Sequence, residues 1–211
     1  METVLVAQVV EWLAANNSWI QIISLICGIT YMTLQIFQKR LMWYFSIAAS
    51  TAAIIISVTN LDNGAWAPLW AQVILNVYLI TMAIVGIFRW RTLESESGGQ
   101  MHIVPLSNRR KIFVLVALAI GVPLVTWVLK LTSDPAPVLD GTSLVFSLIA
   151  AYLLSQSHIE QYLFWLVANC LIVAVFATQA KWFMVAMYSI YNVTCILGYI
   201  NWKKHGVIVE E

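Results

Sequence analysis

The sequence predicts an all-α integral membrane fold: seven transmembrane helices arranged as two parallel three-helix repeats joined by a central linking helix, a 3+1+3 order. Three observations predict it. Of 211 residues, 61% are hydrophobic and only 10% charged, against roughly 25% charged in soluble domains, and the mean hydropathy is +0.84. Apolar runs recur at about the length of 17 to 25 residues that hydrocarbon ~30 Å thick requires. The basic residues and the long polar connections fall where a three, one, three division puts them.

The apolar runs are residues 18–37, 41–58, 67–88, 112–131, 141–155, 162–178 and 182–201. Each must satisfy its own backbone polar groups in lipid, and short connections without strand-like alternation leave helices as the form. The fifth run is the shortest. Before the first, residues 1–15 carry Glu2 and Glu11 and lack a basic segment followed by an apolar one. No cleavable leader is expected there. Cys27, Cys170 and Cys195 all sit inside apolar runs with no CxxC spacing and read as small buried hydrophobes.

Orientation follows the positive-inside bias. Lys39 and Arg40 follow the first span, Arg89, Arg91, Arg109, Arg110 and Lys111 fill the connection after the third, and Lys203 and Lys204 follow the seventh. One side thus holds nine of eleven basic residues, with Lys130 and Lys181 opposite. The N-terminus is then external and the C-terminus cytoplasmic. Trp12, Trp19, Trp43, Trp66, Trp70, Trp90, Trp182 and Trp202 lie near span ends, where interfacial anchors belong. A net charge of +1 gives no global field to attract nucleic acid.

The connection 89–111 is polar and contains Gly98, Gly99 and Pro105; a second break, 132–140, carries Pro135 and Pro137. These divide the chain into an N-terminal repeat (1–91), a cytoplasmic linker with the fourth helix (92–139) and a C-terminal repeat (140–211). The triplets share features. Gly86-x-x-x-Trp90 closes the third span and Gly198-x-x-x-Trp202 the seventh, while the second and sixth open with aromatics, Trp43-Tyr44-Phe45 and Tyr162, Phe164 and Trp165.

Polar side chains at membrane depth face partners or a cavity, because lipid gives them none. Three pairs are spaced four apart on one helix face: Gln72 with Asn76, Trp165 with Asn169 (and Tyr162 a turn earlier), and Tyr188 with Asn192. Groups from three helices are thus expected to converge near mid-depth. The plainer reading is interhelical hydrogen bonding, averaging ~0.6 kcal/mol. Gly28, Gly86 and Gly198 read as points of close helix approach, Pro123 as a tolerated kink. His158 and Glu160 read as a solvated loop, His102 and His205 as polar edges. No histidine pair has metal-ligand spacing, so neither metal nor cofactor is expected.

Other classes are disfavoured. Acids near spans, Asp140 and Glu160, lie at span ends, against proton or ion coupling. The seventh span has no lysine within it to hold retinal, and HExxH and GxSxG do not occur, so no catalytic residue is assigned and no enzyme is expected.

The series Asp140-x6-Ser147, Glu160-x-Tyr162-x-x-Trp165-x-x-x-Asn169, Gln179, Tyr188 and Gly198-x-x-x-Trp202 resembles the PnuC family of bacterial vitamin-precursor transporters from Trp19 to Lys204. That resemblance implies a SWEET-like fold in the bacterial inner membrane, and the lack of an acid at membrane depth points to uptake by facilitated diffusion with alternating access. The resemblance also implies a cytoplasmic kinase that traps the solute, and a homotrimer. In the nicotinamide riboside branch the sixth-span motif resembles Trp-x-x-Trp-x-x-x-Asn; here Tyr162 takes the first position. That branch also carries Asn-x-Tyr-Gly-Trp in the third span, where this chain has Ala83, Val85, Gly86 and Ile87. These departures point to the thiamine-transporting PnuT branch, with nicotinamide riboside as the alternative and a ligand-binding receptor as a reading of another class. Either vitamin is a cationic heteroaromatic that Tyr162, Trp165 and Tyr188 can hold by cation–π attraction of roughly 0.5–2 kcal/mol each. Gln72, Asn76, Asn169 and Asn192 would bond its polar groups.

Overall fold

In the computed structural model the described residues are 12, 15, 17–59, 61, 62, 65, 66, 70–131, 136–178 and 180–209. Among them run seven long helices: α1 (Asn17–Ile36), α2 (Met42–Val58), α3 (Trp70–Glu96), α4 (Asn108–Lys130), α5 (Pro137–Ser155), α6 (Gln161–Thr178) and α7 (Trp182–His205). Five, α1, α3, α4, α5 and α6, contain segments long and apolar enough to cross a membrane, and α2 is apolar but has 17 residues. At 1.5 Å per residue α2 spans about 26 Å and α7 about 36 Å. The order is three, one, three.

Lipid explains local details of these helices. Hydroxyls that would be orphaned in hydrocarbon bond to carbonyls of their own helix: Thr30 to Ile26, Thr51 to Ile47, Ser57 to Ala53, Thr81 to Val77, Ser147 to Ser143 and Ser189 to Val185, all at 2.7–2.9 Å. On α4, Ile112, Phe113, Leu115, Val116, Ile120, Leu124, Trp127 and Val128 are exposed and only Val114 is buried. Such an apolar surface needs lipid around it. Pro123 sits within α4 without ending it.

The chain forms two compact units. The first comprises 1–35 and 39–87, and the second 36–38 and 88–211. Within the first, Trp43 at the start of α2 lies over Gly86 of α3, so close that a Cβ there would penetrate the indole. A short antiparallel ribbon pairs β1 (Leu61–Asp62) with β2 (Ala65–Trp66).

Within the second unit α5 is the most enclosed helix, with Gly141, Ser143, Val145, Ser147, Ile149, Ala150, Ala151, Leu153 and Leu154 buried. Its small residues let neighbours approach: a Cβ on Gly141 would stand 3.0 Å from the Thr126 backbone nitrogen of α4. Val114, Val145, Ile149 and Leu153 form the apolar core between α4 and α5. The fifth span, shortest in the apolar pattern, starts earlier than expected. Pro137 takes the first turn, where its missing N–H costs nothing, and Asp140 complements the helix N-terminus.

The turns α1–α2 and α5–α6 have the same backbone shape. Lys39 N–H donates to Leu34 O and His158 N–H to Leu153 O, both at 2.9 Å, and Gln38 (φ +49°) and Ser157 (φ +63°) take the left-handed conformation at matching positions. These are Schellman-type helix ends built without glycine. Further along, Met42 and Gln161 N–H donate to Lys39 and His158 O. The aromatics that follow also match, for Tyr162 lies over Gly198 as Trp43 lies over Gly86.

Several expectations are corrected. Helix α3 continues to Glu96 past Arg89 and Arg91, and His102–Ile103 (β3) pairs in parallel with Val207–Ile208 (β4), so the 89–111 connection is largely ordered backbone. Trp43, Trp90 and Trp202, at 2%, 1% and 0% exposure, are not interfacial anchors but buried wedges, whereas Trp12, Trp19 and Trp182 are exposed. His158 is fully buried and His102 nearly so, because both meet structured neighbours instead of water. A Cβ at Gly28 would meet open space, so none of the described residues approaches closely there. Cys170 is exposed, and Cys27 and Cys195 are only partly buried. The side chains of Trp66 and Trp70, residues 1–11 with Glu2 and Glu11, Pro135 and Gln179 lie outside the described residues.

Candidate functional site

The seam between antiparallel α6 and α7 has three levels. At the level of the basic linker, Tyr162 is 3% exposed. Its ring meets Trp202 edge-on at 5.3 Å and covers Gly198. A ring can lie flat on a helix only where the residue beneath lacks a Cβ, so Tyr162 and Gly198 depend on each other. At the far level Phe176 lies 5.6 Å from Tyr188, which meets Tyr191 edge-on at 5.3 Å, and the Lys181 ammonium sits 5.7 Å above the Phe176 ring.

Between them lie the amides. Asn169 Nδ2 reaches Cys195 Sγ at 3.8 Å, and Asn192 Nδ2 reaches Cys170 Sγ at 3.6 Å, so each helix donates once to a thiol of the other. Thiol sulfur is a weak acceptor. The seam is thus cross-linked by amides, but loosely. Among the described residues, Asn192 Oδ1 and Trp165 Nε1 are buried without a hydrogen-bond partner. Leaving such groups unsatisfied costs about 1–3 kcal/mol each. One is an acceptor, the other a donor, and they lie on facing helices.

Of the seven predicted residues, Tyr162, Asn169, Tyr188 and Asn192 thus make contacts across one seam, and Trp165, one turn from both Tyr162 and Asn169 on α6, shares their helix face. Gln72 and Asn76 are on α3 in the first unit, where Gln72 is exposed and Asn76 is 8% exposed. Asn76 Nδ2 donates to the Gln72 carbonyl at 2.8 Å, so this pair bonds within its own helix. Cys170, Cys195, Phe176 and Tyr191 were not singled out by spacing. Their part comes from juxtaposition across the seam, which neither helix displays alone. Among the described residues no three or more His, Cys, Asp or Glu side chains gather as a metal site.

A second polar cluster surrounds the linker. His158 Nδ1 bonds Val104 O at 2.7 Å and its Nε2 meets Arg110 Nη1 at 2.7 Å. A guanidinium only donates, so Nε2 accepts and the imidazole is neutral with its proton on Nδ1. Trp90 Nε1 donates to Leu154 O at 3.2 Å, and its ring stands edge-on to His102 at 5.4 Å. Burial pushes the His102 imidazole down to about 4, opposed by the Gln100 backbone and Glu94 and aided by Arg89.

Comparison with known proteins agrees with this architecture. A sequence model for the family described as nicotinamide mononucleotide transporter matches residues 18–204. The nicotinamide riboside transporter PnuC of Neisseria mucosa is 25% identical, the match covering 93% of this chain and 76% of that protein. Its namesake from Haemophilus influenzae is 24% identical, with 95% and 86% covered. The crystal structure of the vitamin B3 transporter PnuC is similar with a TM-score of 0.64 at 21% identity, over 94% of this chain and 90% of that one, a likeness of fold. These names speak of nicotinamide riboside or vitamin B3. The thiamine preference drawn from Tyr162 and from the third span finds no support in them.

Proposed function

The chain belongs to the nicotinamide mononucleotide transporter family, and from that premise we propose that it is a multi-pass carrier taking up nicotinamide riboside by facilitated diffusion. The observation that supports this reading is the α6–α7 seam: a buried indole donor at Trp165 and a buried amide acceptor at Asn192, without a partner among the described residues, between aromatic levels and on two helices, Gln161–Thr178 and Trp182–His205, whose sequence carries no acid. Nicotinamide riboside brings a cationic ring to stack on Trp165, a ribose hydroxyl oxygen that can reach the indole edge and accept from its N–H, and amide and hydroxyl protons for Asn192 and Asn169. Tyr162 closes the seam on the linker side and Tyr188 on the other. A neutral site binds a cation without pinning it, which suits release on both faces.

The solute moves by alternating access between two similar triplets, 1–91 and 140–211, joined by 92–139. No ion or ATP is spent in the membrane, and a cytoplasmic kinase traps the product. The protein would sit in the bacterial inner membrane, N-terminus outside and C-terminus inside, as a trimer. Thiamine is a second reading, favoured by Ala83, Val85 and Ile87 where the nicotinamide riboside branch carries polar and aromatic residues.

Calorimetric titration of purified protein with nicotinamide riboside, thiamine and riboflavin separates these readings, with nicotinamide riboside binding tightest. In proteoliposomes, labelled nicotinamide riboside should show counterflow with proton and sodium gradients collapsed. Binding without counterflow would indicate a receptor; flux that vanishes with the gradients would overturn the uncoupled mechanism.

A further inference from the structure

The linker strand is held by both repeat turns at once. Gln38, at the left-handed position of the α1–α2 turn, treats His102 as a strand neighbour would. Its Oε1 accepts from His102 N–H at 2.6 Å and its Nε2 donates to His102 O at 2.6 Å. Ser157, at the matching position of the α5–α6 turn, donates from Oγ to the same carbonyl at 3.0 Å, and its own carbonyl accepts from Val104 N–H at 3.2 Å. The two matched side chains also meet, Gln38 Nε2 donating to Ser157 Oγ at 3.1 Å. On the other edge, Val207 N–H bonds Met101 O at 2.6 Å and Val209 N–H bonds Ile103 O at 3.0 Å. The strand's polar backbone is therefore engaged on both edges.

Packing at this level follows the same matching. Trp90 and Trp202, equivalent closing tryptophans of α3 and α7, lie 5.9 Å apart. Asn201 Nδ2 donates to Ile36 O at 2.8 Å, tying the end of α1 to α7. Gln38, Ser157 and His102 are 9%, 0% and 3% exposed, so water cannot readily replace a lost bond.

We infer that residues 102–104, clasped between Gln38 and Ser157, form a latch that must release one of the two turns before the linker side of the carrier opens. The inference rests on the transport reading. In the transport reading the triplets move in turn, and Gln38 and Ser157, from the matched first turns of the two triplets, are both tied to the His102 carbonyl within one compact unit. The linker is then a strap that holds the linker side closed, and its release precedes solute exit.

Two arms test it, both on the full chain. Gln38→Leu keeps bulk and removes both bonds to His102. Hydrogen exchange at the His102 and Val104 amides should rise at least tenfold, and counterflow of labelled nicotinamide riboside should change severalfold, with its affinity in calorimetry unaltered. In Gln38→Cys combined with Ser157→Cys, a short reducible bis-thiol-reactive cross-linker, which spans the gap left by the shorter side chain at position 38, should join the turns and abolish counterflow, reduction should restore it, and wild type treated alike should be unaffected. Unchanged exchange at 102–104 in Gln38→Leu, or full flux with the turns cross-linked, would overturn the latch. Should wild type carry no solute, the carrier reading fails by itself, and the exchange arm still decides whether Gln38 clasps the strand.

Discussion

Two polar regions of the second unit are built in opposite ways. Around the linker, Gln38, Ser157, His158 and Arg110 meet partners at 2.6–3.1 Å and the Trp90 ring stands edge-on to His102, whose backbone is clasped although both its ring nitrogens are buried without a partner among the described residues. In the seam of α6 and α7, Asn169 and Asn192 reach only thiols at 3.6–3.8 Å, and Trp165 Nε1 and Asn192 Oδ1 are unmet. Short bonds to backbone groups at the linker fix its path, while the seam amides, held only by weak thiol acceptors, can exchange those contacts for a better partner at little cost. The same side-chain types therefore serve as a joint at one level and as a candidate solute site at the other.

The contrast is broken most sharply by substitution in the seam. Trp165→Ala should weaken nicotinamide riboside binding about 30-fold in calorimetry, taking ~2 kcal/mol for a desolvated cation–π contact. Trp165→Phe, which retains a ring and loses the N–H, should lose roughly tenfold or less. Equal losses in both would mean the indole donor has no part. At the joint, Gly198→Ala drives a methyl into Tyr162. Overpacking of ~1–3 kcal/mol should lower Tm in detergent by roughly 2–10 °C. Gly28→Ala, where a Cβ meets open space, should leave Tm level or slightly raised.

Smaller effects sharpen it. Asn192→Ala should cost about fivefold in affinity, the scale of an intramembrane amide bond of ~1 kcal/mol, with little change in Tm. His102 supplies a pH test of the joint. Its folded pKa, about 4, lies below the ordinary 6.5, so between these values the unfolded chain binds the extra proton. The stabilising contribution is complete above about pH 6.5 and is lost as pH falls toward about 4. Melting temperature should decline across that window, and His102→Phe should flatten the decline.

Helix positions were legible because apolar run length is a one-dimensional property that lipid enforces. The repeat was faintly legible in Gly86-x-x-x-Trp90 and Gly198-x-x-x-Trp202. Its physical content was not, since nothing in the spacing says that Trp43 and Tyr162 are the rings those glycines admit. The seam pairs Trp165–Asn169 and Tyr188–Asn192 follow from helical period alone. Their thiol partners do not, because Cys170 and Cys195 become acceptors only once α6 and α7 are set side by side. The error at His158 has the same origin: a histidine in a charged loop looks solvated until Val104 and Arg110 are placed against it.

By itself, then, the amino-acid order determined that this chain lives in a bilayer, where its helices lie and which of their faces are polar, since each depends on composition and period over one segment. Only the tertiary structure decided which polar groups are satisfied and which are left open. A hydrogen bond requires two groups within about 3 Å, and residues as far apart as Gln38, His102 and Ser157 reach that distance only when the fold brings them together.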